Sequence, residues 1–316
     1  MLAVDLQYFL SIAKHRSLAR AADELAVSQS TLSRAVQRME GRFAIKLFER
    51  TPRGMELTDA GRRLAHHARS AEVELDEAAR ELTDMSGGKH GHVRVAAGHT
   101  ISSLVNSALV PRLHLERPAA TLHLDAHFND RIVALLAEGA YDFAVGVVPE
   151  SLPESLVAEV LMHDELVPAV HESHPLAQVK HPTVQDLVAQ PWTGAGSRAL
   201  SYAGMQQLFI AAGAEPPRYV VDTNSYETAL AAVRRSLCVT FAPKWLVRRQ
   251  SGLFAGLVTV DVPGFSLQRD LGLLWRRGGY LSPVAERAFE LLKTALQTAE
   301  AQRGERTPET AQRGPS

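Results

Sequence analysis

The sequence predicts an α/β protein overall, with an all-α helix-turn-helix module first, one long helix next and a C-terminal α/β module last. Three patterns indicate this order: apolar residues at helical spacing before residue 58, a heptad repeat up to residue 85, and alternating strand and helix patterns beyond residue 92. The 316 residues suit about two domains, at ~150 residues per domain.

The composition restricts the class of protein. Apolar residues are 46% and charged residues 22% of the chain, which excludes a disordered or fibrous protein. The net charge of -1 excludes a uniformly basic nucleic-acid coat protein, and a single cysteine, Cys238, excludes a disulfide framework. No apolar run approaches the ~18 residues of a membrane span. The N-terminus lacks the basic start of a signal peptide, so we expect a cytoplasmic protein with no membrane contact.

The charge is unevenly distributed along the chain. Residues 14–69 hold twelve basic and six acidic side chains, whereas residues 72–84 hold six acidic side chains and only Arg80 as a base. A basic block on a neutral chain is typical of one module that faces a polyanion. A solvated basic surface is the alternative, and only the local pattern decides between them.

Three short helices are predicted in the basic block. Residues 5–15 form an amphipathic helix with Asp5 as its cap, Ser17 caps a second, alanine-rich helix, and Ser28 caps a third. The buried stripe of the third helix is Leu32, Val36, Met39 and Phe43.

The outward positions of the third helix predict DNA recognition. Amide, hydroxyl and guanidinium groups are the side chains that read base edges in the major groove. In a helix-turn-helix the N-terminal residues of the second helix of the motif reach those edges, and residues further along contact phosphates. An ordinary polar helix face is the alternative. The predicted base-reading residues are Gln29, Ser30, Ser33 and Arg34, and Arg38 is predicted to contact phosphate.

A Pro/Gly turn within residues 47–58 predicts a small hairpin, or wing. Arg50 and Arg53 at its tip suit contacts with phosphates or with a narrow minor groove. The full set of candidate DNA-binding residues is Ser17, Arg20, Ser28, Gln29, Ser30, Thr31, Ser33, Arg34, Gln37, Arg38, Arg50 and Arg53.

Four linked motifs resemble those of the LysR-type transcriptional regulators, and the resemblance covers nearly the whole chain. The motifs are Ser17–Ala22, Val27–Ser33, Leu47–Arg50 and Leu57–Gly61. The resemblance implies a winged helix-turn-helix over residues 1–58, followed by a linker helix over residues 59–86 that dimerises the modules. It also implies a homodimer or homotetramer, an inverted-repeat DNA site and contact with RNA polymerase.

A heptad repeat marks the long helix as a coiled-coil seam, because its apolar residues recur every 3.5 positions. An ordinary amphipathic helix is the alternative, since alanine-rich heptads also arise by chance. The predicted dimerisation residues are Leu64, Ala68, Ala71, Leu75, Ala78 and Leu82.

Beyond the long helix, alternating strands and helices predict a parallel sheet covered by helices on both faces. The predicted strands are 93–97, 121–128, 143–147, 166–170, 219–222, 239–242, 258–260 and 271–275, and the predicted helices are 100–116, 130–138, 201–213, 225–235 and 282–299. Residues 300–316 have almost no apolar content and are expected to be a disordered tail.

Ligands of such sheets bind beyond the carboxyl ends of the strands. Several polar residues of this chain are predicted to lie there. Helix capping alone is the alternative role for each of these residues. The resemblance implies a periplasmic-binding-protein-like effector domain over residues 87–299, with an effector between two halves. One half is residues 87–162 plus 268–299, and the other is residues 163–267. The candidate effector-binding residues are Thr100, Ser102, Asn129, Ser197, Ser201, Thr223 and Phe241.

No catalytic, metal-binding or cofactor-binding constellation is recognisable. Cys238 precedes a buried strand, and the histidine pairs lack the spacing of a helical zinc site. We therefore expect no enzymatic activity, no metal and no cofactor. The predicted function is a sequence-specific DNA-binding regulator controlled by a small molecule. A small-molecule-binding enzyme or receptor with an appended helical domain is the alternative.

Overall fold

The computed structural model describes residues 3–52, 54–85, 91–194, 201–223, 225–250 and 252–304. The chain divides into two compact units, Met1–Leu82 and Thr83–Ser316. Within the described ranges, no helix is both long enough and apolar enough to cross a membrane.

The N-terminal unit is a winged helix-turn-helix. Its elements are α1 (Ala3–His15), α2 (Leu18–Glu24), α3 (Gln29–Phe43), β1 (Phe48–Thr51), β2 (Gly54–Leu57) and α4 (Asp59–Met85). The Ser17 hydroxyl caps α2 by accepting the Arg20 N–H at 3.4 Å, and the Ser28 hydroxyl caps α3 by accepting the Thr31 N–H at 3.1 Å. The antiparallel strands β1 and β2 form the wing.

Two sequence expectations about this unit are wrong. Asp5 does not cap α1, because the helix already begins at Ala3 and the Asp5 carboxylate is buried against Arg38. Phe43 is 50% exposed instead of buried, although it follows the apolar stripe of α3. The chain turns at Ala44, in the left-handed region, and Leu47 fills the core in place of Phe43.

The heptad residues of α4 fall into two groups. Ala68 is buried in the N-terminal unit and Leu64 packs against that unit's core, so these two side chains already have partners within one chain. Leu75 and Leu82, further along, are 64% and 67% exposed. Only the second group leaves large apolar side chains in solvent.

The C-terminal unit is built on a mixed sheet, not on the wholly parallel sheet that was predicted. In the described residues seven strands form it: β3 (His92–Gly98), β4 (Thr121–His127), β5 (Phe143–Val147), β6 (Leu156–His171), β9 (Thr240–Pro243), β10 (Leu257–Thr259) and β11 (Leu267–Arg276). Their order across the sheet is β10-β6-β11-β5-β3-β4, with β9 paired to β6. Strands β3, β4 and β5 run parallel, whereas β11 is antiparallel to both β5 and β6.

Strand β6 is much longer than the predicted strand over residues 166–170. The part of β6 before residue 166 carries charged and polar residues that obscured the strand pattern, among them Glu159 and Asp164. The long antiparallel pairing with β11 places Arg269 directly opposite Asp164, so the buried carboxylate gains a guanidinium partner. The two residues lie 105 positions apart, so patterns in a short sequence window could not predict this pair.

Helices and a two-stranded sheet complete the unit. Strand β7 (Trp192–Gly194) pairs in parallel with β8 (Tyr219–Asp222). The Trp192 ring is fully buried at the centre of the second half, 5.0 Å from Phe241 and 5.5 Å from Phe209 between ring centroids. The helices are α5 (Ser102–Glu116), α6 (Asn129–Ala137), α7 (Val184–Val188), α8 (Ser201–Ala211), α9 (Tyr226–Arg235), α10 (Lys244–Arg249) and α11 (Pro283–Gly304).

Helix α11 corrects the expected start of the tail. It continues to Gly304, whereas disorder was expected from residue 300. Two contacts hold the extra turn: the His163 N–H donates to the Glu300 carboxylate at 3.2 Å, and Arg249 donates to the Gln302 side chain at 3.1 Å. Residues 305–316 lie outside the described residues.

Candidate DNA-binding helix and effector cavity

Helix α3 presents a polar face to solvent. Gln29, Ser30, Arg34 and Gln37 are exposed, while Thr31 and Ser33 are half-buried. The Arg34 Nε donates to the Ser30 carbonyl at 3.3 Å, which lays the side chain along the helix. This face carries the mixture of amide, hydroxyl and guanidinium groups that major-groove recognition uses.

Several hydroxyl groups at the start of α3 are engaged with one another. The Ser28 Oγ lies 2.8 Å from both the Ser30 Oγ and the Thr31 Oγ1, in addition to its capping bond. Ser28 and Ser17 therefore have structural roles as helix caps, whatever they contact in addition.

Arg38 also has a partner within the chain. Its Nη2 donates to the Asp5 Oδ1 at 2.6 Å, and Asp5 is only 6% exposed, whereas the Arg38 side chain is 56% exposed. The pair ties α3 to α1, so Arg38 contributes to the fold of the unit.

A buried carboxylate joins α3 to the wing. Glu40 accepts hydrogen bonds from the Lys46 Nζ at 2.6 Å, the Leu47 N–H at 2.9 Å and the Phe48 N–H at 3.4 Å. Burial raises the pKa of Glu40, but the bonds from Lys46 and the two amides outweigh it and leave the pKa lowered. Arg20 and Arg50 are exposed, and Arg53 lies outside the described residues.

The C-terminal unit contains a cavity of about 840 Å³ that is open to solvent on one side. Of the predicted effector residues, Thr100, Asn129, Thr223 and Phe241 line it together. The volume falls within the ~300–1,000 Å³ typical of small-molecule sites. The cavity lies where the parallel strands β3, β4 and β5 end, opposite β7, β8 and β9.

Three predicted effector residues are placed differently. The Ser102 hydroxyl donates to the His99 carbonyl at 3.0 Å, and Ser102 is not among the residues that line the cavity. Ser197 lies outside the described residues, as does the side chain of Ser201.

The Asn129 side chain forms hydrogen bonds with the backbone of Val147 in the cavity wall. Its Oδ1 accepts the Val147 N–H at 3.1 Å, and its Nδ2 donates to the Val147 carbonyl. The amide thereby fixes the end of β5 against the start of α6, using one of its two N–H donors and one of the two acceptor positions of its oxygen.

Sequence reasoning missed several residues that line the cavity. The Thr193 side chain is 1% exposed, and its hydroxyl has no hydrogen-bond partner among the described residues. The Arg269 Nε donates to the fully buried Asp164 at 2.8 Å. Tyr226 donates its hydroxyl to the Phe241 carbonyl at 3.1 Å, and burial raises the Tyr226 pKa.

Neither a metal centre nor a reactive thiol is evident in the part of the chain that the structure describes. No three histidine, cysteine, aspartate or glutamate side chains there are grouped to hold a metal ion. Cys238 is buried as a free thiol.

Two family models match the chain. Residues 4–62 match the lysR-family bacterial regulatory helix-turn-helix, and residues 86–297 match the LysR substrate binding domain. The chain belongs to the LysR family. This LysR-type regulator therefore binds DNA through its N-terminal module and an effector through its C-terminal module, and it regulates transcription.

Curated relatives of the LysR-type regulator are transcriptional regulators. It is 28% identical over 295 residues to the HTH-type transcriptional regulator GbpR of Azospirillum brasilense, covering 93% of this chain and 86% of that protein. It is 29% identical over 286 residues to the RuBisCO operon transcriptional regulator of Allochromatium vinosum, covering 89% and 92% of the two chains.

Solved structures share the fold. ArgP from Mycobacterium tuberculosis matches with a TM-score of 0.65 and 20% identity, covering 92% of this chain and 96% of that one. A full-length OxyR variant from Pseudomonas aeruginosa matches with a TM-score of 0.62 and 21% identity, covering 94% and 98%. At these identities the likeness establishes the architecture alone.

Proposed function

We propose that α3 reads the major groove through Gln29, Ser30, Ser33 and Arg34. These residues occupy the N-terminal half of the second helix of the motif, the part that reaches base edges in helix-turn-helix proteins. The exposed arginines Arg20 and Arg50 suit phosphate contacts, which fix the position of the protein on DNA without reading sequence.

A second copy of the chain completes the DNA-binding assembly. Leu75 and Leu82 lie exposed on α4, one heptad apart, and form an apolar seam. Burying this seam against a partner helix removes apolar area from water, which favours association. Two modules related by a two-fold axis would read an inverted repeat. The assembly is a homodimer or a dimer of dimers.

The cavity of the C-terminal unit is the effector site. Its walls come from both halves of the unit, residues 87–162 plus 268–299 and residues 163–267, so a bound molecule contacts both and changes their relative position. A ligand that prefers one arrangement by about 1–3 kcal/mol shifts the equilibrium between two states. The shift changes the DNA contacts and, through them, recruitment of RNA polymerase in the cytoplasm.

The observation that carries this proposal is the joint presence, in one chain, of an exposed α3 reading face and a ligand-sized cavity in a separate unit.

Capture of fragmented genomic DNA by the full-length protein tests the proposal. Enrichment of one or a few inverted repeats at moderate salt is the expected result, because specific sites bind ~10³–10⁷-fold more tightly than bulk DNA. Retention of DNA without sequence preference would contradict it. Metabolites that alter the footprint on the enriched site identify the effector, and conversion of such a metabolite by the protein would support an enzyme instead.

A further inference from the structure

The wing of the N-terminal unit is hydrogen-bonded to the turn between α1 and α2. The Met55 N–H on β2 donates to the Arg16 carbonyl at 2.8 Å. Arg16 follows the last residue of α1 with φ +52°, in the left-handed region, and its own N–H donates to the Ile12 carbonyl at 2.8 Å. The next residue, Ser17, caps α2. One backbone hydrogen bond therefore joins the wing to the start of the helix-turn-helix.

The close approach of the wing to this turn depends on Gly54. Gly54 comes directly before Met55 and has φ +114°, a conformation that residues with a side chain rarely adopt. A Cβ atom at position 54 would overlap the Arg16 carbonyl oxygen, which belongs to the backbone and cannot rotate away as a flexible side chain can. A larger residue at position 54 would therefore force β2 away from the α1–α2 turn.

The base of the wing is held by other contacts. Phe48 pairs with Leu57 across the two strands, its side chain is buried, and its N–H donates to the Glu40 carboxylate at 3.4 Å. By contrast, none of the described residues 49–52 and 54–57 is fully buried. Displacing Gly54 should therefore move the outer part of the wing and leave its base on the core.

Arg50 lies in the outer part of the wing. It pairs across the strands with Met55, the residue that donates to Arg16. Arg50 is exposed, and it forms no hydrogen bond or ion pair with the residues that the structure describes. An unpaired guanidinium is available to a DNA phosphate, and such contacts fix the position of a protein on the duplex. The position of this cation thus depends on the contact between β2 and the α1–α2 turn.

We propose that Gly54 is a positioning residue for DNA binding: its contact with the Arg16 carbonyl holds the wing where the Arg50 guanidinium reaches a phosphate while α3 lies in the major groove. This inference rests on the proposed DNA contacts of α3 and Arg50. Gly54 acts through Arg50, so its effect on DNA binding requires the Arg50 guanidinium.

Binding of the full-length protein to random-sequence duplex DNA, measured from about 50 to 200 mM salt, tests the proposal. Each phosphate contact on B-DNA adds about 0.9 to the steepness of log affinity against log salt. Gly54→Ala should lower this steepness by about 0.9 for each bound protomer, and Arg50→Ala should lower it by the same amount. The double variant should lose no more than either single variant, because both changes remove one and the same contact.

Gly41→Ala on α3 is the matched control. A Cβ atom at Gly41 would have no other atom within 4 Å, so this glycine-to-alanine change should leave the salt dependence unchanged. Amide hydrogen exchange of the DNA-free protein measures the structural effect of Gly54→Ala. The peptide that contains Met55 should exchange faster than in the parent, while peptides from α1 and α3 should keep their protection.

Three outcomes would overturn the proposal. One is a parental salt dependence in Gly54→Ala or in Arg50→Ala. Another is an additive loss in the double variant, which would show that Gly54 acts independently of Arg50. The third is lost protection of α1 and α3 in Gly54→Ala, because Gly54 would then hold the whole unit together.

The random-sequence probe keeps this test separate from the proposed function. Selective capture of genomic DNA depends on base reading by α3, whereas the salt dependence depends on phosphate contacts. Failure of one experiment is therefore distinguishable from failure of the other.

Discussion

Two arginines one turn apart on α3 should separate DNA reading from folding. Arg38 donates to Asp5, a residue that is 6% exposed. Among the residues that the structure describes, Arg34 bonds only along its own helix, to the Ser30 carbonyl. Arg38→Ala therefore leaves a buried carboxylate without its cation, and Arg34→Ala leaves no buried group unpaired.

The expected magnitudes follow from the exposure of each partner. Removing one member of a fully buried ion pair costs ~3–5 kcal/mol, while an exposed pair contributes ~0.2–1 kcal/mol. With the Arg38 side chain 56% exposed, we place Arg38→Ala between these limits, at about 1–2 kcal/mol of destabilisation. Arg34→Ala should change the stability by less than about 0.5 kcal/mol.

Amide hydrogen exchange of peptides from α1 and α3 in the full-length protein measures the first effect. A loss of about 1–2 kcal/mol corresponds to about 5–30-fold faster opening in Arg38→Ala. Competition between the enriched site and random DNA measures the second: Arg34→Ala should lower the specific-to-nonspecific ratio by about 1–3 kcal/mol, and Arg38→Ala should leave that ratio unchanged. Normal protection in Arg38→Ala, or an unchanged ratio in Arg34→Ala, would refute the division of roles.

Three further predictions concern the N-terminal unit and α4. Leu75→Glu should dissociate the assembly in sedimentation at micromolar concentration, whereas Glu72→Lys on the same helix should not; an intact Leu75→Glu assembly would contradict the seam. Ala44→Gly should stabilise the unit by ~0.5–1 kcal/mol, because Ala44 has φ +50° and glycine adopts this conformation without strain; a lower denaturation midpoint would contradict this. The lowered pKa of Glu40 means that its stabilising effect is complete above its ordinary value of 4.5 and is lost as pH falls below it. Acid melting curves should therefore show a smaller decrease in Glu40→Gln than in the parent, and equal decreases would argue against the Lys46 and amide contacts.

Local patterns predicted much of the fold correctly. The caps Ser17 and Ser28, the wing and the long α4 follow from side chains acting on neighbouring backbone, which sequence order alone specifies. The polar face of α3 is equally local. Four effector candidates also line one cavity, since strand ends in such sheets meet at one edge.

Pairings between distant segments decided the rest. The carboxylate of Asp5 binds a residue 33 positions away, and that of Asp164 binds one 105 positions away, so neither role shows in a local window. The antiparallel course of β11 and the length of β6 likewise depend on partners far along the chain.

What the sequence determined by itself is most of the elements and their polar or apolar faces, because backbone preferences and side-chain periodicity act over a few residues; the short β7, α7 and α10 were not predicted. The tertiary structure alone decided which polar groups form hydrogen bonds within the protein and which are left to bind a ligand. The Thr193 hydroxyl has no partner among the described residues, whereas the Asn129 amide binds the backbone of β5, and only the folded chain shows this difference. Burial makes that difference matter, since a buried polar group must find its partner in the protein or in a ligand.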